Sequence, residues 1–358
     1  MVRTIILKVS PINPEEEKLK IAAEEIKQGE VVIFPTETVY GIGADALNED
    51  AVKKVFKAKN RPYGNPLIVG IANQQQLLNV VEDIPPEAER LISKFWPGPL
   101  TLILKKKPII PDIVSAGLDT IAIRMPAHPV PLKLMELAKT PIVVPSANIA
   151  GRPSITTPDH VIKEFRGKVK VIITAGETSL GIESTVLNLY SEPPIIIRPG
   201  AIPKDEIEKI LGRKILYHPA IGARKSEITA KAPSHKFEHY KPIVPLILVE
   251  GDETCLPEEI INQAKKLSEK HEKIGIMISK ETIKRIIIPS ILTDKIIIKV
   301  LGSRRNLYEV AHNLFRTIRE LEDKKVGAII AEGYDYIGIG YSVMYRLNQA
   351  AYQKIKCK

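Results

Sequence analysis

Four short stretches, far apart in the chain, carry hydroxyls, a neutral amide and separated cations. FPTETVYG (34–41) sets Thr36, Glu37 and Thr38 just past an apolar run, and KAKNRPYGNP (57–66) supplies Lys57, Lys59 and Arg61. VPSANIAGRPS (144–154) offers Ser146 and Asn148, and GIESTVLNL with IIRPGA (within 181–201) adds Ser184, Thr185 and Arg198. This is an inventory for gripping an anion such as a nucleotide phosphate. Arg matches phosphate as a bidentate fork and Lys as a point charge. Hydroxyls and amides add hydrogen bonds without adding negative charge. Lys59 and Arg61 alternate, so an extended backbone points both to one side, and Pro62 steers Arg61 away from helical geometry. Ser146 and Asn148 alternate in the same way. Each stretch alone reads equally as a polar loop. Together, placed at strand ends, they read as one ligand site. No G-x-x-x-x-G-K-[ST] occurs, so side chains rather than a P-loop must hold a nucleotide. YGIGADA (40–46) imitates a dinucleotide fingerprint, but Pro35–Thr38 separate it from its strand. Its glycines are expected to turn the backbone closely beside a pocket.

The chain has 358 residues, 44% of them apolar, which at ~100–200 residues per domain implies two domains. No apolar run approaches the ~20 residues needed to span a bilayer. The start, MVRTIILKVSPINPEEE, is too short in its apolar part and too acidic afterwards for a signal peptide. A soluble cytoplasmic protein is expected, with no membrane partner. Cys255 and Cys357 form no CxxC and are expected to give no disulfide framework. His235 and His239 are four apart but lack the company of further ligands, so no zinc site is expected. The net charge of +10 suits nucleotides or RNA and equally suits a lysine-rich thermophile surface.

The elements that must position these residues follow from periodicity. Residues 15–29 read as an amphipathic helix with Leu19, Ala22, Ala23 and Ile26 inward, and Gly29 stops it. Residues 48–60 read as a second helix capped by Asn48 or Asp50. VVIFPT, PLIVGIA, LTLILKK, TIAIRMP, PIVVPSA, VKVIITAG, STVLNLY and PIIIRPG read as strands. Many strands with few helices imply an α/β domain on a curved mixed sheet over 1–215. Residues 216–242, with five basic against two acidic side chains, read as a basic interdomain linker long enough to act as a lid. From 243 to 358, PLILVEG, IGIMIS, KIIIKVL and VGAIIAEG alternate with long helices, as in a small Rossmann-like parallel α/β domain with flanking helices.

PTETVYG, the Lys-x-Arg of Lys59–Arg61 followed by NPLIV, the Ser-x-Asn of Ser146–Asn148, GIEST and IIRPG, in that order, resemble the YrdC/Sua5 family. The linker APSHKFEHYKP and the tail LGSRRNLYEVAHNLFRTIRELEDKKVGAIIAEG…GIGYSVMYRLNQAA resemble its long, two-domain Sua5 form. The resemblance spans nearly the whole chain. It implies threonylcarbamoyl-AMP synthesis from L-threonine, bicarbonate and ATP with release of diphosphate. It also implies Mg2+ held mainly by ATP, a separate threonylcarbamoyl transferase as partner, and t6A37 of tRNA as the end product. The site residues it implies are Lys59, Arg61, Ser146 and Asn148 for catalysis and Thr38, Arg124 and Ser184 for threonine. For ATP it implies Lys57, Arg61, Asn65, Ser146, Ser154, Arg198 and Tyr240, with no protein metal ligands. Three departures stand out: Gly70 where the family usually has histidine, Asn188 where it often has aspartate, and Ser234, His235 and Phe237 in the linker.

Several of these residues also have structural readings. Arg124 and Arg198 suit buried ion pairs, Thr38 a backbone turn, Glu183 an N-cap or salt bridge, and Trp96 a core anchor rather than an adenine stacker. Tyr240 and Lys236 are the lid residues a closing linker would bring over nucleotide. Two other functions compete. One is a basic module that grips double-stranded RNA without chemistry, but aromatics are only 5% of the chain and form no stacking motif. The other is carbamoyl transfer in hydrogenase maturation, which requires cysteine-rich parts that this sequence lacks.

Overall fold

The computed structural model describes residues 2–219, 221 and 239–357. The chain divides into one compact unit of Met1–Ala150 with Ser154–Phe237, and a second of Gly151–Pro153 with Glu238–Lys358.

In the first unit the described strands are β1 (Ile5–Lys8), β2 (Val32–Phe34), β3 (Gly41–Asp45), β4 (Ile68–Gly70), β5 (Leu100–Lys105), β6 (Thr120–Arg124), β7 (Ile142–Val143), β8 (Val171–Thr174), β9 (Thr185–Asn188), β10 (Ile195–Arg198) and β11 (Leu216–Tyr217). They form one mixed sheet in the order β1-β8-β2-β3-β7-β4-β6-β5-β9-β10-β11. β2 shows how both faces are covered, because alternate residues of a strand point to opposite sides. Val32 and Phe34 join a cluster with Leu19, Ala22 and Ile26 of the helix Glu16–Lys27. Ile33 faces the other way, into a cluster with Val52, Val55 and Phe56 of the helix Glu49–Ala58. Burial contributes roughly 1.5–3 kcal/mol for each large apolar side chain, which holds both helices to the sheet. Asn48 caps the second helix, its side-chain oxygen accepting from the amides of Asp50 and Ala51 at 3.1 Å each. Trp96 is a core anchor, donating from Nε1 to the Leu100 carbonyl at 2.7 Å.

YGIGADA differs from expectation. Its glycines lie inside β3 rather than in a turn, and a Cβ at Gly41 would meet Val144 Cγ1 at 2.7 Å. The glycine is there so that the strand can approach its neighbour. β11 carries the sheet two residues past 215 by parallel pairing with β10.

The second unit holds β12 (Leu246–Glu250), β13 (Ile274–Ser279), β14 (Ile296–Gly302), β15 (Ala328–Glu332) and β16 (Gln353–Lys356). All its pairings are parallel, in the order β14-β13-β15-β12-β16. Helices Leu256–Ser268 and Leu307–Asp323 are long helices of the kind expected between these strands. The helix Ile339–Ala350 and β16 were not anticipated. That helix is buried nearly all round, from Ile339 and Gly340 through Val343, Met344 and Leu347, so it shows no amphipathic stripe. β16 is a short, mostly polar edge strand.

The cysteine expectation is also corrected: Cys255 and Cys357 are joined as a disulfide, with Cα atoms 5.8 Å apart. β12 and β16 are parallel neighbours. The chain therefore leaves both at the same end of the sheet, and residues 102 apart in sequence meet there. No helix among the described residues is long and apolar enough to cross a membrane.

Candidate functional site

A cavity of about 100 Å³ opens in the first unit. Thr38, Arg61, Arg124, Ser146, Ser184 and Arg198 all line it, drawn from the four separate stretches and from β6. The volume exceeds by several-fold the ~10–15 Å³ one water needs, so it admits a small organic ligand. All of these but Arg61 sit at strand ends or a few residues beyond. Arg124 and Arg198 are the last residues of β6 and β10, and Ser184 directly precedes β9. Ser146 follows β7 and forms an isolated bridge with Gly41.

Arg61 reaches the cavity by a route other than the one expected. The helix Glu49–Ala58 ends with Lys59 still in helical conformation and Asn60 in the left-handed region at φ 49°. The amide of Asn60 bonds the Lys57 carbonyl at 3.1 Å, and that of Arg61 bonds the Phe56 carbonyl at 2.9 Å. This is a Schellman ending, not an extended chain, so Lys59 and Arg61 diverge. Arg61 faces the cavity, with Nη2 donating to the Pro66 carbonyl at 3.2 Å and its guanidinium 5.9 Å from the Phe56 ring centre. Its buried Nε finds no hydrogen-bond partner among the described residues. Burial, and after it the charge of Arg198, lowers the Arg61 pKa to about 10. Two cations sharing a partly dry cavity are arranged for an anion.

Lys59 turns inward instead and is almost fully buried. Its Nζ donates to the Ser146 carbonyl and to the Asn148 carbonyl, the latter at 2.7 Å. It is the clasp that shapes the Ser146 loop. Within that loop Ser146 Oγ donates to Asn148 Oδ1 at 2.6 Å, and Asn148 Nδ2 donates to the Ile149 carbonyl at 2.8 Å.

Arg124, buried, is held on three sides. Nε donates to the Gly98 carbonyl at 3.1 Å, Nη1 to Thr38 Oγ1 at 2.9 Å, and Nη2 pairs with Glu37 Oε1 at 2.6 Å. Its structural and ligand-facing readings therefore coexist, since it both closes this network and lines the cavity. Arg198 donates to the Ser184 carbonyl at 2.9 Å and to Ser184 Oγ at 3.1 Å, and Ser184 Oγ lies 2.8 Å from Thr101 Oγ1.

Other expected residues stand outside the lining. Lys57 is exposed on the last helical turn and Asn65 is buried. Ser154 is buried behind the wall, donating to Glu183, which does line the cavity. Tyr240 packs in the second unit, its ring 5.2 Å from that of Phe315 and beneath the Arg346 guanidinium. Lys236, Ser234, His235 and Phe237 lie outside the described residues. Thr36, whose hydroxyl the FPTETVYG stretch already offers, lines the cavity too. Glu183 is the only Asp or Glu in the lining among the described residues. No group of three or more His, Cys, Asp or Glu suited to a metal occurs among the described residues.

Comparisons with known proteins extend over nearly the whole chain. The Sua5/YciO/YrdC family model, described as "Telomere recombination", matches residues 24–200. The model "Threonylcarbamoyl-AMP synthase, C-terminal domain" matches residues 202–352. Threonylcarbamoyl-AMP synthase of Pyrococcus abyssi (strain GE5 / Orsay) is 46% identical over 352 residues, covering 98% of this chain and 99% of that protein. Threonylcarbamoyl-AMP synthase of Bacillus subtilis (strain 168) is 38% identical over 341 residues, covering 95% and 94%. The crystal structure of P. abyssi Sua5 complexed with L-threonine superposes with a TM-score of 0.89 at 45% identity, covering 99% of this chain and 100% of that one. The chain belongs to the Sua5/YrdC family, in the form that joins the YrdC-type domain to the Sua5 C-terminal domain.

Proposed function

We propose that this chain is a threonylcarbamoyl-AMP synthase, and that residues 1–215 carry the chemistry at the cavity just described. The amine of L-threonine attacks the carbon of bicarbonate-derived CO2 and loses a proton, giving an N-carboxylate. A carboxylate oxygen then attacks the α-phosphorus of ATP, the bond to the β-phosphate oxygen breaks, and diphosphate leaves. Both reactants of the second step are anions, so the site must offset their repulsion before it can position them. The observation that carries this reading is the convergence of Arg61, Arg124 and Arg198 on one cavity with a single lining carboxylate among the described residues.

Arg124 takes the threonine carboxylate with the N–H groups left over from its three anchors. Arg61 and Arg198 take the phosphates, and anion binding relieves their mutual repulsion. Ser146 and Ser184 add hydroxyl contacts, with Ser146 exchanging its bond to Asn148 for one to the ligand. Lys59 and Asn148 act by shaping the loop, and Ser154 by holding Glu183. Lys57, Asn65 and Tyr240 are proposed as further ATP contacts. Mg2+ enters on ATP as part of the substrate, coordinated chiefly by phosphate oxygens, which suits a lining so poor in carboxylates. The product passes to a separate threonylcarbamoyl transferase in the cytoplasm for t6A37 synthesis on tRNA, and the basic surface serves any direct RNA contact. Diphosphate release measured with ATP alone, and then with threonine and bicarbonate added, tests the reading. Release must require all three, and release independent of threonine overturns it.

A further inference from the structure

Thr36, Thr38 and Arg124 form a hydrogen-bonded chain whose polarity is fixed at both ends. At one end Thr36 Oγ1 lies 2.6 Å from the Val39 carbonyl oxygen. A carbonyl oxygen only accepts, so the single hydroxyl proton of Thr36 goes there. Thr36 Oγ1 also lies 2.7 Å from Thr38 Oγ1. With the Thr36 proton already committed, Thr38 must donate in this contact. At the other end Arg124 Nη1 lies 2.9 Å from Thr38 Oγ1, and a guanidinium only donates. The order is therefore Arg124 to Thr38 to Thr36 to the Val39 carbonyl.

Thr36 has no lone pair to spare: one takes the Thr38 hydroxyl, and the amides of Thr38 and Val39, at 3.2 Å each, share the other. Thr38 is not. Its proton is spent and one lone pair is taken by Arg124, which leaves one lone pair at a hydroxyl that lines the cavity. Both threonines are almost fully buried, so water does not easily reset the pattern.

We propose that Thr36 is a positioning residue that makes Thr38 an acceptor-only group, so that Thr38 selects a hydrogen-bond donor of the substrate and repels its acceptors. This rests on the reading of the cavity as the threonine site. A carboxylate or phosphate oxygen placed at Thr38 meets lone pair against lone pair, whereas an N–H or O–H meets a ready acceptor. The neighbouring Arg124 offers only donors. The pair thus reads the amino acid in one orientation, with its carboxylate on Arg124 and its amine or side-chain hydroxyl on Thr38. With the amine at Thr38, the nitrogen lone pair is left free for attack on the carboxylating carbon.

The test is binding calorimetry on the full chain with L-threonine, (R)-3-hydroxybutanoate (no amine) and L-2-aminobutanoate (no hydroxyl). Thr36→Val keeps the shape and frees the Thr38 proton, and Thr36→Ser keeps the hydroxyl. Thr36→Val is expected to weaken threonine about tenfold, the size of one net hydrogen bond, while Thr36→Ser stays near wild type. Thr36→Val must spare the one analogue that lacks the donor read by Thr38. Sparing 3-hydroxybutanoate identifies the amine as that donor, and sparing 2-aminobutanoate identifies the hydroxyl. Equal losses for all three ligands, or no loss for any, overturn the proposal. If Thr36→Val does not fold, Thr38→Val with the same three ligands decides by the same criterion. Wild-type protein that binds no threonine refutes the functional reading instead, so the two failures are distinguishable.

Discussion

Arg61 and Arg198 face the same cavity, and the Arg61 pKa is pushed down to about 10, first by burial and then by the charge of Arg198. The empty site is therefore under electrostatic tension that a bound polyanion relieves. Arg61→Gln removes one of the two charges. Its ligand-free melting temperature is expected to equal or exceed wild type, while threonine-dependent diphosphate release falls about 100-fold or more, as for other groups that stabilise developing charge. The sign of the pH dependence follows. Arg61 is a cation below about 10, so ATP affinity holds steady from neutral pH upward and falls as pH rises through that value. The same lowered pKa works against the folded, ligand-free state below about 10 and ceases to do so at higher pH. Thermal shifts with and without ATP across pH 7–10.5 check both. Arg61→Gln that melts lower yet turns over normally contradicts the assignment.

Lys59 and Arg61, two residues apart, are expected to fail in different ways. Lys59 supplies the donor for the carbonyls of both Ser146 and Asn148. Lys59→Ala leaves those buried acceptors short of a partner and is expected to cost about 2–4 kcal/mol of stability, together with a loss of turnover. Ser146→Ala removes only the hydroxyl that donates to Asn148 Oδ1, and should lose turnover with a melting temperature closer to wild type than that of Lys59→Ala. Lys59→Ala that melts like wild type but binds ATP poorly would return Lys59 to direct phosphate contact. Chemical denaturation and ATP titration on the same three proteins decide it.

Much of this was legible in the sequence because it is local. The period of Leu19, Ala22, Ala23 and Ile26 gave the first helix, and β-branched runs bounded by Gly and Pro gave the strands that end at Arg124 and Arg198. What could not be read was direction. Alternation placed Lys59 beside Arg61, but one left-handed residue, Asn60, rotates them apart. The Arg124–Glu37 ion pair joins residues 87 positions apart, and only the fold makes them neighbours. The buried helix Ile339–Ala350 was missed because a segment covered on every side loses the periodicity that marks a helix at a surface.

Gly70 is held to a glycine by its packing. A Cβ at 70 would lie 2.8 Å from Val144 Cγ2 and 3.3 Å from Met135 Sδ. Val144 lines the cavity wall, so a side chain at 70 must push into the wall that shapes the site. Gly70→Ala is expected to cost about 1–3 kcal/mol through overpacking. The double change with Val144→Ala should recover most of that loss, a coupling expected only for residues in contact. Urea midpoints of the two single variants and the double variant measure it, and additive losses refute the packing account.

The Cys255–Cys357 bond ties the start of the helix Leu256–Ser268 to the end of the edge strand β16. β16 pairs with β12 alone in its sheet, so the bond is expected to hold the strand that otherwise frays first. Closing a loop of about 100 residues stabilises by up to about 4–5 kcal/mol in the chain-entropy model. Cys255→Ser is therefore expected to lower the unfolding midpoint markedly, with amide exchange rising first along 353–357. Reductant should shift wild type towards the variant and leave the variant itself unmoved. Threonine affinity at 25 °C should be the same in both, because none of the described cavity-lining residues belongs to the second unit. A wild-type midpoint that reductant does not shift shows that packing alone secures β16.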